Sequence, residues 1–332
     1  MKIILSAGLL LLILTGTASA NKAEADIDFF NSDELLHITL YFDVHEFLRT
    51  KNDPRNFDGL LTVRLNDNDS ITRVIKLKAR GEMRRNYCSF PPVMIKFGDY
   101  RLKLVTHCNQ SEMNENYVFK EYLAYKLFNL VTPYSFKTRL VHINYIDSEN
   151  PRRSVTAYGF LIENDDDMAS RNEAMIVDND KLSQRHMNEE NMARVAVFNY
   201  MIGNTDWSVT KLHNIKVLVP ADTFTNKGIP VAYDFDYSGF VKTSYSAPSK
   251  NLPIKLVTER YYMGNCISEE EIKTVLEEFD KLRTDFIKTI DEFEYLSSGS
   301  KKKLEYYING FFKEQRNRDY LLSEISKTCR RD

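Results

Sequence analysis

Three residues within positions 199–240 have the types and spacing to handle a phosphate group. Asp206 sits on a turn in GNTDWS, Asn214 comes eight positions later at the head of an apolar strand, IKVLV, and Asp234 ends a second strand, IPVAYD. A carboxylate beside an acceptor hydroxyl can take its proton, while an amide oxygen and a second carboxylate can grip Mg²⁺ against the phosphates of a nucleoside triphosphate. Oxygen ligands suit Mg²⁺, which favours a few carboxylates plus phosphate oxygens. No His/Cys cluster in the chain competes for a softer metal. Asp and Asn are also ordinary turn residues, so a turn explains each one alone. Their order is what points to chemistry: a turn Asp, an Asn-led strand, a short connection and a strand ending in Asp-Phe-Asp predict one hairpin, its polar residues gathered at the turn-bearing rim.

The segments that must hold this hairpin change character along the chain. Between residues 26 and 78, runs such as LLHITLYF, GLLTVRL and TRVIKLKA alternate apolar and polar residues between turn-rich stretches, which predicts antiparallel strands. PPVMIKF and YRLKLV add two more. Arg80, Arg84 and Arg85 cluster beside Gly81, and Lys103 stands between Leu102 and Leu104. A basic residue turned into a cleft is a phosphate ligand and one turned outward is a solvated strand face; the pattern leaves both open. Residues 115–130 repeat apolar positions at helical spacing, with Glu121 placed to pair with Lys103. Strands follow over 140–145 and 156–162, the second ending at Glu163 before Asp165, Asp166 and Asp167, which read as a solvated loop.

Residues 188–202 predict a buried helix stopped by Gly203 and Asn204. Ser268 and Glu271 form a capping-box signature for a helix to about residue 293, and a last helix is expected over about 301–327. Its Tyr306, Tyr307, Phe311 and Phe312 are either an exposed aromatic surface or a core stripe. The fold class is therefore α+β, with an antiparallel-strand-rich N-terminal half and a mainly helical C-terminal half.

The 332 residues suffice for one large domain or two lobes, and a formal net charge of −2 argues against a general binder of nucleic acid or anionic membranes. Lys2, the apolar run from Ile3 to Leu14 and the small residues Ala18-Ser19-Ala20 read as a secretory signal peptide over residues 1–20, leaving no membrane span after cleavage. An exported location, periplasmic, cell-surface or secreted, follows. Four cysteines in such a chain suggest two disulfides, for which three pairings exist. Cys88 with Cys108 and Cys266 with Cys329 is the preferred pairing, because each would staple one half.

The order RGEMRR, YRLKLV, a helix carrying Glu121, GFLIE, GNTDWS, HNIKVL and YDFDYSGF resembles the CotH family of spore-coat kinases, over roughly residues 79–240. The resemblance implies a two-lobed, protein-kinase-like fold: a strand-rich extension over 21–78, an N-lobe-like region over 79–163 and a C-lobe-like region over 164–332. It implies ATP and Mg²⁺ as cofactors and a protein Ser/Thr hydroxyl, or a sugar, as acceptor. Asp206 would be the catalytic Asp, Asn214 and Asp234 metal ligands, and Asp236 an assisting one. Lys103 would bind phosphate with Glu121 as its helix partner, Glu163 would lie beside the adenine, and Arg80 would face the phosphates. No G-x-G-x-x-G loop is present. The same fold with a degenerate pocket would act as an envelope or surface interaction module. Asp206 with Asp234 or Asp236 could also form the acid pair of a hydrolase.

Overall fold

The computed structural model describes residues 27–179, 181–221 and 227–330. The signal peptide expected over residues 1–20 lies outside them. Seven strands and three helices make up the N-terminal half: β1 (Leu36–Phe42), α1 (Val44–Arg49), β2 (Phe57–Arg64), β3 (Ser70–Ala79), α2 (Glu82–Tyr87), β4 (Val93–Phe97), β5 (Tyr100–Val105), α3 (Glu112–Val131), β6 (Thr138–Asp147) and β7 (Ser154–Ile162). They close into a barrel in the order β1-β2-β3-β4-β5-β7-β6. Antiparallel neighbours cannot alternate all the way round an odd ring, and the one exception is the parallel pair β1–β6. This closed barrel departs from the lobed sheet implied by the family resemblance. Periodicity marked the strands and cannot report that the first returns to pair with the sixth. β3 pairs with both β2 and β4, so the barrel runs through residue 78.

Alternation sends Leu102 and Leu104 into the sealed barrel core with Leu40, Leu61 and Ile95. Lys103, between the two leucines, therefore leaves the barrel on its outer face. Closure removes the exposed sheet edges that would otherwise invite pairing with another chain.

The second half comprises α4 (Asp165–Arg171), β8 (Ala174–Val177), α5 (Glu189–Met201), β9 (Ile215–Pro220), β10 (Ile229–Ala232), α6 (Glu269–Asp291), α7 (Ser298–Arg316) and α8 (Arg318–Thr328). β10-β9-β8 form a small separate sheet. α3 packs on the outside of β6 and β7 and against α5 and α6, which joins the barrel to the helical half through a second core.

The acidic run at 165–167 is not a loop. Asn164 caps α4 by accepting the Asp166 N–H, and the acids sit in its first turn, where the helix dipole favours negative charge. The helix expected over 301–327 breaks at Asn317, which ends α7 and begins α8. Phe311 and Phe312 are sealed in the core while Tyr306 is 84 % exposed, so that stripe is mostly core.

Disulfides join Cys88 to Cys108 and Cys266 to Cys329, one in each half, as befits an oxidising compartment. No helix among the described residues is long and apolar enough to cross a membrane.

Candidate functional site

β9 and β10 pair with Ile215 opposite Ala232. The Tyr233 N–H donates to the Asn214 carbonyl at 3.1 Å, so Asn214 and Asp234 leave the hairpin side by side. They meet at the end away from the connection, not at the expected turn-bearing rim. The reason is geometric: Asn214 precedes the first strand and Asp234 follows the second, and antiparallel pairing brings those outer ends together. Asn214 has φ 53° and Asp234 φ 62°, the left-handed region that Asn and Asp tolerate better than most residues. From α3, the Tyr125 hydroxyl accepts the Asp234 N–H at 2.8 Å and fixes the strand end.

Asp206 is placed by the end of α5. Gly203 turns the chain at φ +64°, where an added Cβ would fall 2.1 Å from the Tyr307 hydroxyl. Asn204 donates to Asn199 Oδ1 at 2.8 Å, and its own Oδ1 accepts the Asp206 N–H at 3.0 Å. Asp206 Oδ2 accepts the Asn214 amide at 3.1 Å, and Asp206 Oδ1 meets His213 Nε2 at 2.9 Å. With its amide nitrogen engaged on Asp206, Asn214 has Oδ1 as the atom that could face a cation. His213, 53 % exposed on its side chain, is a residue the sequence reading passed over although it adjoins Asn214. Its hydrogen bond to Asp206 raises its pKa, outweighing burial.

Asp236 lies sealed behind Asp234 and accepts the Tyr245 hydroxyl on Oδ2 at 2.8 Å. Burial first, and the Asp234 charge second, push its pKa up to about 7. Beneath the two acids lies a buried pair, Arg84 Nη1 to Glu121 Oε2 at 3.5 Å, with Arg84 Nη2 donating to the Thr106 carbonyl at 3.0 Å. Burial raises the Glu121 pKa well above the usual carboxylate range. Burial works against the Arg84 charge too, but Tyr245, Glu121, Asp236 and Asp234 around it raise its pKa overall.

Glu121 is thus paired with Arg84 and not with Lys103. Lys103 instead bonds Asp165, which Lys216 also reaches at 3.2 Å, and its ammonium lies 5.1 Å from the Phe136 ring centroid. The expected exchange between Lys103 and Glu121 fails because Lys103 stands on the face of β5 toward α4, whereas α2 turns Arg84 inward. Nothing in RGEMRR distinguishes the arginine that turns in. Glu163 is sealed and clamped by Arg171 Nε at 3.1 Å and Nη2 at 2.9 Å, and it also accepts the Lys137 N–H. Its side chain braces the β7–α4 junction and its N–H donates to the Lys137 carbonyl at 2.9 Å, so neither is free for an adenine. Arg80 is half-buried, and its guanidinium has no hydrogen-bond partner among the described residues.

No protein-family model and no curated protein matches the chain. Among solved structures it is similar to the Helicobacter pylori proinflammatory kinase CtkA, with 9 % identity, coverage of 69 % of this chain and 89 % of that one, and a TM-score of 0.40. A likeness of that size carries no argument about fold or activity.

Among the described residues no group of three or more His, Cys, Asp or Glu could hold a metal. The donors available to a hard cation are the Asp234 and Asp236 carboxylates and Asn214 Oδ1, a set that phosphate oxygens would have to complete, as Mg²⁺ prefers. One observation suits such a group: Arg84 Nε and Glu121 Oε1 are both buried without a partner.

Proposed function

We propose that this protein is an ATP- and Mg²⁺-dependent phosphotransferase of the CotH-like atypical kinase type, exported, with a protein Ser/Thr hydroxyl or a sugar as acceptor. The observation that carries this reading is the juxtaposition of Asn214 and Asp234 at one end of the β9–β10 hairpin, with the Asp206 carboxylate bonded to the Asn214 amide. Asp234, Asp236 and Asn214 Oδ1 would hold the cation, which neutralises phosphate charge when bound. Asp206 orients the acceptor hydroxyl and takes its proton on a carboxylate oxygen, with His213 holding the carboxylate in place. Arg80 supplies positive charge at the phosphates.

Thermal denaturation with ATP and Mg²⁺ tests the reading. Nucleotide at about 100 times its dissociation constant adds about 2.7 kcal/mol of stability. The expected result is a Mg²⁺-dependent rise in Tm that Asp234→Asn abolishes; no rise with any nucleoside triphosphate overturns it. A second reading, a kinase-like fold serving as an interaction module, is favoured by the engagement of both Asp206 oxygens and the Tyr245 cap on Asp236. Partner binding that survives Asp234→Asn would support it.

A further inference from the structure

Arg84 is held from three sides. α2 carries it inward and ends at Cys88, whose N–H donates to the Arg84 carbonyl at 2.8 Å. The Cys88–Cys108 disulfide ties that end to the segment following β5. This segment supplies the Thr106 carbonyl that accepts Arg84 Nη2, while the Thr106 hydroxyl bonds the Phe90 carbonyl at 3.0 Å and the Phe90 N–H bonds the Cys108 carbonyl at 2.8 Å. Glu121 on α3 closes the third side.

The clamp leaves two complementary atoms unanswered: Arg84 Nε, a charged donor, and Glu121 Oε1, a carboxylate acceptor, both buried and unpaired. With its side chain only 10 % exposed, Arg84 has an Nε–H that lacks an acceptor, and the unpaired carboxylate oxygen of Glu121 beside it lacks a donor or cation. Phosphate oxygens would supply the acceptor, and the cation bound with them the counter-charge. The planar guanidinium fork matches phosphate geometry better than an ammonium does. Lys103, by contrast, has its carboxylate partner in Asp165 already.

Resting on the phosphotransferase reading, we propose that Arg84, positioned by Glu121 and the Cys88–Cys108 disulfide, is the cation that receives the nucleotide phosphates in the role expected of Lys103. Isothermal titration of the oxidised protein with Mg²⁺-ATP, and separately with Mg²⁺-tripolyphosphate, reads this without activity. Arg84→Lys and Arg84→Met are expected to weaken both ligands by about tenfold or more, and by more than Lys103→Met does. Glu121→Gln, which keeps the side-chain shape, carries the test where Arg84→Met fails to fold, with a loss of the same order. Replacing Cys88 and Cys108 together by Ala is expected to weaken binding several-fold in protein that circular dichroism shows to be folded, whereas the same change at Cys266 and Cys329 leaves it unaltered. Arg84→Lys binding as tightly as wild type, or Lys103→Met losing more than Arg84→Met, overturns the proposal while leaving the phosphotransferase reading intact. Wild-type protein that binds no nucleotide overturns both.

Discussion

Two cation–carboxylate pairs flank the same hairpin and differ in how far water reaches them. Arg84 and Glu121 have side chains 10 % and 3 % exposed and meet at 3.5 Å; those of Lys103 and Asp165 are 16 % and 27 % exposed, and Asp165 also gains Lys216. The wetter centre is complete, because every carboxylate there has a lysine and solvent can supply the rest. The sealed one is incomplete, since neither Arg84 Nε nor Glu121 Oε1 has a hydrogen-bond partner among the described residues. A fold keeps such atoms only where the rest of the structure outweighs their cost.

The comparison breaks most directly at Glu121. Glu121→Ala takes the bonded carboxylate from a buried arginine, a loss of up to about 3–5 kcal/mol in urea unfolding that Asp234 and Asp236 nearby reduce, against about 1 kcal/mol or less for a surface pair. A loss at Glu121 no larger than that at Asp165 would show that water reaches both.

Acid offers a second way in. His107 adjoins Thr106 beneath Arg84 and is sealed; burial, and then the Arg84 charge, lower its pKa from 6.5 to about 4. The unfolded chain therefore binds the proton more readily than the folded one between those values. Stability from this group is complete above pH 6.5 and is lost as pH falls toward 4, by about 3 kcal/mol in all. Denaturant midpoints measured from pH 7 to 4 should fall more steeply for wild type than for His107→Phe. Equal slopes would place His107 in contact with water.

Much of this contrast was invisible in the sequence for a definite reason. The strands, α3, α5 and the β9–β10 hairpin were legible because burial imposes a period on their side chains, and Asp206, Asn214 and Asp234 were legible because their types and order are unusual together. The partners were not. Whether Glu121 meets Lys103 or Arg84 depends on which way a six-residue helix turns after Gly81, at φ 74°, and on which β5 face looks toward α4. Local pattern fixes neither. Barrel closure through β1 and β6 is likewise a long-range pairing that no window contains. Tyr245, which caps Asp236 from a loop-like stretch, carries no motif at all.

The smallest expected effect sharpens the contrast from the open side. Asp165→Asn removes the charge shared by Lys103 and Lys216 but leaves both ammonium groups beside the Tyr233 ring, each 5.9 Å from its centroid. Solvent screens the resulting repulsion, so the loss should stay near or below about 1 kcal/mol. Burial already lowers the Lys103 pKa against the pull of Asp165, and removing that carboxylate lowers it further, making the amine a better nucleophile at neutral pH. Lys103 in Asp165→Asn should therefore react faster with an amine-selective acylating reagent than in wild type. Raising ionic strength to about 1 M, where the Debye length is about 3 Å, should shrink the stability difference between the two proteins. The difference between wild type and Glu121→Ala should change less, because a buried pair is screened much less by salt. Equal salt sensitivity in the two comparisons would erase the distinction between the centres.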